Sequence, residues 1–131
     1  MASIEDLIRD HLSKDGQVLN LKAKFIREVG VRALSRNESL KELRALDLSQ
    51  NSIGDEGVKA LVESPVFSNL RTLNLASNSI GDTGAMYLAN AKHLKNLRSL
   101  QLVVNNISED GEKVLRNSLA LVSLSSLKFR V

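Results

Sequence analysis

The 131-residue sequence contains no cysteine and no tryptophan, a single proline, and only 3% aromatic residues. Without thiols there is no disulfide framework, no thiolate nucleophile and no zinc site built on sulfur. The lack of cysteine suits a reducing compartment, so a cytoplasmic location is expected. No stretch approaches the ~20 consecutive apolar residues of a membrane span. The N-terminal M-A-S-I-E-D-L-I-R-D-H-L lacks the basic region and apolar run of a secretory signal peptide, so none is expected. Charge of one sign is also missing: 18 basic and 15 acidic side chains leave a net charge of +3. That excess is small and evenly spread, whereas nucleic-acid binding wants a clustered basic face. Neither nucleic acid nor membrane is therefore expected as a partner. What remains is ordinary for a folded domain, with 43% apolar and 25% charged residues in a chain long enough to bury a core.

The sequence repeats itself. Asn51 to Gly57 reads N-S-I-G-D-E-G, and Asn78 to Gly84 reads N-S-I-G-D-T-G. The pattern Leu43-x-x-Leu46-x-Leu48-x-x-Asn51-x-Ile53 returns from Leu70 to Ile80 and again from Leu97 to Ile107, each time 27 residues on. One step back finds Leu19-x-Leu21 and Ile26, with Gly16 in place of Leu43; one step forward finds Leu124-x-x-Leu127-x-Phe129. A second column runs Leu7, Leu34, Leu61, Leu88, Leu115 at the same interval. Units therefore start near 16, 43, 70 and 97, with a final strand from 124 and a capping helix over residues 1–15.

Each unit mixes two periods. The L-x-L alternation predicts a strand with one buried face, and Gly57-Val-Lys-Ala-Leu-Val-Glu, following Asp55, has the 3.6-residue spacing of a helix. One strand, turn and helix cannot bury both apolar faces alone, but stacked copies can. Strands pack about 4.8 Å apart and helices about 10 Å, so the stack must curve with its sheet inside. An α/β solenoid is predicted, with a parallel sheet on the concave face and helices on the convex face.

L-x-x-L-x-L-x-x-N-x-I-x-x-x-G resembles the leucine-rich repeat of the ribonuclease-inhibitor-like class, over Gly16 to Val131. Gly81-Asp-Thr-Gly84-Ala-Met-Tyr-Leu-Ala89 is similar to the GALA-type bacterial repeats, and short proteins of this kind resemble secreted effectors of Legionella-type pathogens. The resemblance implies a right-handed solenoid. It also implies a structural ladder of Asn51, Asn78 and Asn105, whose amides hydrogen-bond turn backbone that would otherwise lack partners. Lys24 stands at the equivalent place in the first unit and cannot accept a hydrogen bond, so a looser turn is expected there. Gly30, Gly57, Gly84 and Gly111 are expected to open the helices. Asp55, Asp82, Glu28 and Glu109 are expected to supply capping or favourable charge at the helix starts.

No catalytic constellation is present. His11 and His93 lie about three repeats apart, and no serine sits in a nucleophile elbow. Calcium would need several converging carboxylates, and each unit offers only one or two at the repeated turn, while G-D-x-G lacks the G-K-[ST] ending of a phosphate loop. No metal, cofactor, small-molecule substrate or enzymatic activity is expected.

With the inward leucines assigned, three columns are left for the concave face: Val18, Ala45, Thr72, Ser99 and Ser126; Asn20, Asp47, Asn74, Gln101 and Lys128; Lys22, Ser49, Ala76, Val103 and Arg130. A parallel sheet normally has both faces covered, so a bare face is a candidate recognition surface. Partner contacts are expected at Asn20, Lys22, Asp47, Thr72, Asn74, Ser99, Gln101, Val103, Lys128 and Arg130. Val103-Val104 is either a contact patch or cover for the final strand. Arg44, Arg71 and Arg98 form a further column, either a grip for an acidic partner or a solvated row. These columns contain no aromatic residue, so anchoring would fall to arginine or to the partner. The resemblance implies a non-enzymatic module that clasps another protein, above all an enzyme whose site it covers, as an effector on a host protein or a companion effector. The alternative is the substrate-recognition scaffold of a ubiquitin-ligase-type assembly, which would require an F-box segment that this chain does not contain.

Overall fold

Five short strands, each 27 residues after the last, pair side by side in chain order: β1 (Val18–Asn20), β2 (Ala45–Asp47), β3 (Thr72–Asn74), β4 (Ser99–Gln101) and β5 (Ser126–Lys128). The computed structural model describes residues 2–131. All four pairings are parallel, and the register never slips: Leu19 faces Leu46, Leu46 faces Leu73, Leu73 faces Leu100, Leu100 faces Leu127. The helices α1 (Ile4–His11), α2 (Arg27–Ser35), α3 (Gly54–Val62), α4 (Asp82–Ala89) and α5 (Glu109–Arg116) form the second layer. Short 3-10 turns at Glu38–Leu40 and Pro65–Phe67 lead back toward the next strand. The predicted α/β leucine-rich-repeat solenoid is the architecture observed.

The core lies between the layers, where inward strand leucines meet Leu34, Leu61, Leu88 and Leu115 of the helices, all of them buried. Each such side chain contributes roughly 1.5–3 kcal/mol of apolar burial. Leu124 and Leu127 are only partly buried, because no further unit lies against β5 among the described residues. At the other end, Ser3 caps α1, accepting from the Asp6 N–H at 3.1 Å. Leu7 and Ile8 of α1 reach the core, and the chain then doubles back along β1 through an antiparallel Leu12–Leu19 bridge. That bridge shields the outer edge of β1.

The asparagine side chains tie neighbouring units together. Asn51 Oδ1 accepts from the Lys24 and Ile26 N–H groups of the preceding unit at 2.9 and 3.1 Å, while Nδ2 donates to the Leu21 and Leu48 carbonyls at 2.8 and 3.0 Å. Asn78 holds the Asn51 and Ile53 N–H groups in the same way, and Asn105 holds those of Asn78 and Ile80. Each amide thus serves the turn before its own. The expectation of a looser first turn is thereby corrected: that turn is secured by Asn51, and only the Lys24 backbone, not its side chain, takes part.

The helices begin earlier than the glycine pattern suggests, since Gly57 lies one turn inside α3. These glycines are required by contact and not by backbone angle. A Cβ on Gly84 would lie 2.6 Å from both Asp55 Oδ1 and Ile80 Cγ2, and Gly111 is crowded in the same way by Asp82 and Ile107. The aspartates are there because they cap the next unit's helix and not their own. Asp55 Oδ1 accepts from the Gly81 N–H at 2.8 Å; Asp82 accepts from the Ser108 N–H at 2.8 Å and its hydroxyl at 2.6 Å.

Two predictions follow from these inter-unit bonds. Asn78→Ala strands two buried N–H groups and removes the donor to the Leu48 carbonyl, so urea unfolding should show a loss of roughly 2–5 kcal/mol. A loss below ~1 kcal/mol would show that the ladder is dispensable. The second concerns acid. The Ser108 hydroxyl, and then its N–H, hold the Asp82 carboxyl below the usual carboxylate range. A depressed folded-state pKa stabilises above the unfolded value, about 3.9, and the effect is lost as pH falls through the lower folded value. Asp82→Asn should therefore remove part of the stability lost on acidification, read from melting temperature against pH.

Candidate functional site

The outward face of the sheet is polar, and its middle column is hydrogen-bonded in place. Asn20 Oδ1 accepts from the Lys22 N–H at 3.1 Å, Asp47 Oδ1 from the Ser49 N–H at 2.9 Å, Asn74 Oδ1 from the Ala76 N–H at 3.0 Å, and Gln101 Oε1 from the Val103 N–H at 3.3 Å. One oxygen of each is therefore committed to its own strand exit. What is left to a partner is the amide NH2 of Asn20, Asn74 and Gln101 and the second oxygen of Asp47. These groups are held before any partner arrives, which lowers the entropy lost on binding. Thr72 and Lys128 are exposed, Ser99 and Val103 half-buried, and Lys22 is exposed at the first strand's exit. Ser49 is buried, its hydroxyl donating to Asp47 Oδ1 at 2.6 Å.

Arg130, expected on the recognition face, is exposed but already paired within the chain. Its guanidinium turns across the end of the stack and forms a two-pronged pair with Glu112 of α5, at 3.2 and 2.6 Å. Glu112 occupies the column of Val31, Val58 and Ala85, all fully buried against the following unit. At α5 that apolar contact is replaced by an ion pair. Arg116, 3.8 Å from Glu112, lies over the Phe129 ring at 5.2 Å. Arg130 is thus a cover for the last unit and not a free cation on the sheet face.

The strand exits carry a surface that the strand columns alone did not reveal. Phe25 is 74% exposed with φ +55°, and Val104 is 68% exposed with φ +56°. The left-handed backbone belongs to the repeat turn, since Gln50, Ser52, Ser77 and Ser79 share it at the equivalent positions; what sets Phe25 and Val104 apart is a large apolar side chain exposed there. Val29, 78% exposed, lies with Phe25 along a 520 Å³ groove between α1 and the first turn. The signal was present in the repeat columns. Phe25 stands where other units have Ser52, Ser79 and Asn106, and Val29 where they have Glu56, Thr83 and Asp110. Lys24 and Arg27 line this groove, and neither they nor Lys22 form an ion pair among the described residues.

At the opposite ends of the strands, Arg44, Arg71 and Arg98 share a cleft of about 210 Å³ with Asn69, Asn96 and Ser123. Arg44 and Arg98 together push the Arg71 guanidinium below its ordinary value, as unneutralised like charges do. Tyr87 is half-buried, with the Lys59 ammonium 6.0 Å from its ring, and His93 lies in the loop after α4. Among the described residues no group of three or more His, Asp or Glu is arranged to hold a metal ion, and no helix is long and apolar enough to cross a membrane.

In-phase leucine and asparagine columns, a parallel sheet and an outer helical layer define a leucine-rich-repeat solenoid fold. The leucine-rich repeat family model matches residues 36–62 and 68–89. Forty-one solved chains match. Among them is the tropomodulin C-terminal domain of Caenorhabditis elegans, with a TM-score of 0.57 and 18% identity over 78% of this chain. The chain spans 63% of that domain's length, and the likeness is one of fold. No curated protein matches the sequence. A leucine-rich repeat fold of this kind commonly mediates protein–protein interaction and is generally non-enzymatic.

If Phe25 is retained for contact and not for folding, Phe25→Asn should leave thermal stability unchanged or raise it by up to ~1 kcal/mol, because Asn tolerates the left-handed region. A destabilisation above that size, measured by denaturant unfolding, would make Phe25 a structural residue.

Proposed function

We propose that the protein binds another protein across the sheet face and the adjoining rim of strand exits, with Phe25 as the apolar anchor. The carrying observation is that exposed phenyl at a strand exit, where other units carry serine or asparagine, beside a bare sheet face. Area supports the inclusion of the rim. Five strands at ~4.8 Å spacing and three residues at ~3.3 Å give a sheet face of roughly 200 Å². A stable interface needs roughly 800 Å² per partner, so the sheet face alone is too small. Adding the groove at Phe25 and Val29 and the Val104 tip extends the contact and supplies the aromatic that the strand columns lack.

The narrower reading is regulation of a partner enzyme by steric cover. A face of this size covers an edge or a loop of its partner and does not enclose the whole molecule. The GALA-like phrase in the third unit supports a bacterial effector acting in the cytoplasm on a host protein or a companion effector. Unpaired Lys22, Lys24, Arg27 and Lys128 favour an acidic contact surface, which would raise the association rate at low salt.

Affinity capture followed by mass spectrometry tests the reading. Phe25→Ser and Asp47→Lys should each reduce recovery of a specific partner at least tenfold, about 1.4 kcal/mol or more. Charge reversal at Lys128 should act chiefly on the association rate. A partner recovered equally well by Phe25→Ser and Asp47→Lys binds elsewhere, and the sheet face is then the wrong surface.

A further inference from the structure

The arginine row at the strand entries is unlike any other part of the surface. Arg44, Arg71 and Arg98 precede three adjacent parallel strands, and their backbones are locked in register: the Arg71 N–H donates to the Arg44 carbonyl and the Arg98 N–H to the Arg71 carbonyl, both at 2.8 Å. Like charges directly opposite one another across strands are destabilising. None of the three forms an ion pair among the described residues, and repulsion within the row already weakens proton binding at Arg71. The row is therefore a cluster of like charge without a countercharge among its ion pairs, and it contributes nothing to the core.

The surroundings complete a site. Asn69 and Asn96 use Nδ2 to hold the Lys41 and Ser68 carbonyls at 2.8 and 2.9 Å, which fixes the loop walls of the cleft. Ser123 contributes a hydroxyl at the Arg98 end. Glu42 lines the Arg44 end, and Asp15 feels the Arg44 charge as well, so the uncompensated charge centres on Arg71 and Arg98. At about 30 Å³ per water, a cleft of about 210 Å³ has room for one tetrahedral oxyanion and a few waters.

We infer that this cleft binds a phosphate monoester carried on a partner polypeptide, held by Arg71 and Arg98 with Arg44 as a supporting charge. A phosphoryl group brings about −1.5 to −2 charge and three acceptor oxygens, a match for several guanidinium forks that a single carboxylate cannot offer. A bound dianion also removes the repulsion within the row, so binding and stabilisation go together. The site lies at the opposite ends of the strands from Phe25 and does not depend on the sheet-face reading.

The test is an NMR titration of the whole chain with inorganic phosphate, a phosphoserine peptide and its unphosphorylated form, with sodium chloride at matched ionic strength as reference. Inorganic phosphate should give saturable shifts at Arg71, Arg98 and the Asn69 and Asn96 side chains, and should raise the melting temperature beyond the chloride control. The phosphoserine peptide should bind at least tenfold tighter than either inorganic phosphate or the unphosphorylated peptide. Arg71→Ala with Arg98→Ala should weaken binding at least tenfold while leaving the anion-free melting temperature unchanged or higher; Arg71→Lys should retain part of the affinity. Phe25→Ser should leave the phosphate titration intact, which separates failure here from failure of the sheet-face reading. Phosphate shifts no larger than those of chloride, or unaltered binding in the double variant, would overturn the inference. Saturable inorganic phosphate with no gain from the phosphopeptide would overturn the assignment to a peptide-borne group.

Discussion

The structure depends on how a chain that turns every 27 residues satisfies its backbone at the turn. Between strand exit and helix start, several N–H and carbonyl groups are buried with no ladder to pair them. Asn51, Asn78 and Asn105 answer this with one short amide each, and each works on the unit before its own. Leucine burial would favour many compact arrangements, because it has no direction. The amides have direction and length, and so they select the one register in which strands stack without slipping. The same forward-and-back coupling recurs on the helix side, where Asp55 and Asp82 hold the next unit's helix start. Adjacent units are thereby linked at the turn and at the helix start as well as through the sheet, as expected of a quasi-one-dimensional stack.

Against so regular a frame, every departure needs its own physical reason, and the departures fall in distinct places. At the last helix, the buried Val31, Val58, Ala85 column becomes Glu112, and Arg130 crosses the end to meet it. A buried carboxylate without that partner would be costly, so the two substitutions belong together. At the first unit, serine and acidic columns become Phe25 and Val29, and nothing in the core benefits. One departure resolves a packing problem; the other creates an exposed apolar surface.

The result is a scaffold with two chemically different rims. Strand exits carry apolar tips with lysines beside them, while strand entries carry the arginine row. The sheet face between them is polar, and its side chains are already held. Rigid strands set the spacing on all three surfaces, and loops supply the chemistry at the rims, the usual division of labour between scaffold and site.

Most of the fold was legible in the sequence because its determinants are periodic: leucines 27 apart can be counted, and a helix period next to a strand period admits few architectures. The Asn columns were legible for the same reason, although their direction was not. Sequence shows that Lys24 is not Asn, but only the stacked structure shows that Asn51 reaches back to serve that turn. The site was less legible. Arg130 reads as a sheet-face residue by its column, yet at the end of the stack no neighbour confines it, and its reach carries it to Glu112. Nor could the columns show that Asn20, Asp47, Asn74 and Gln101 turn one oxygen back to their own strand exits. By itself, then, the sequence determined the repeat length, the identity of the buried face and the stacking of units, because these follow from local period and burial. The tertiary structure alone decided which polar side chains are free and which large apolar ones stay exposed. Those properties depend on which groups meet across units, a distance that no spacing in one chain can express.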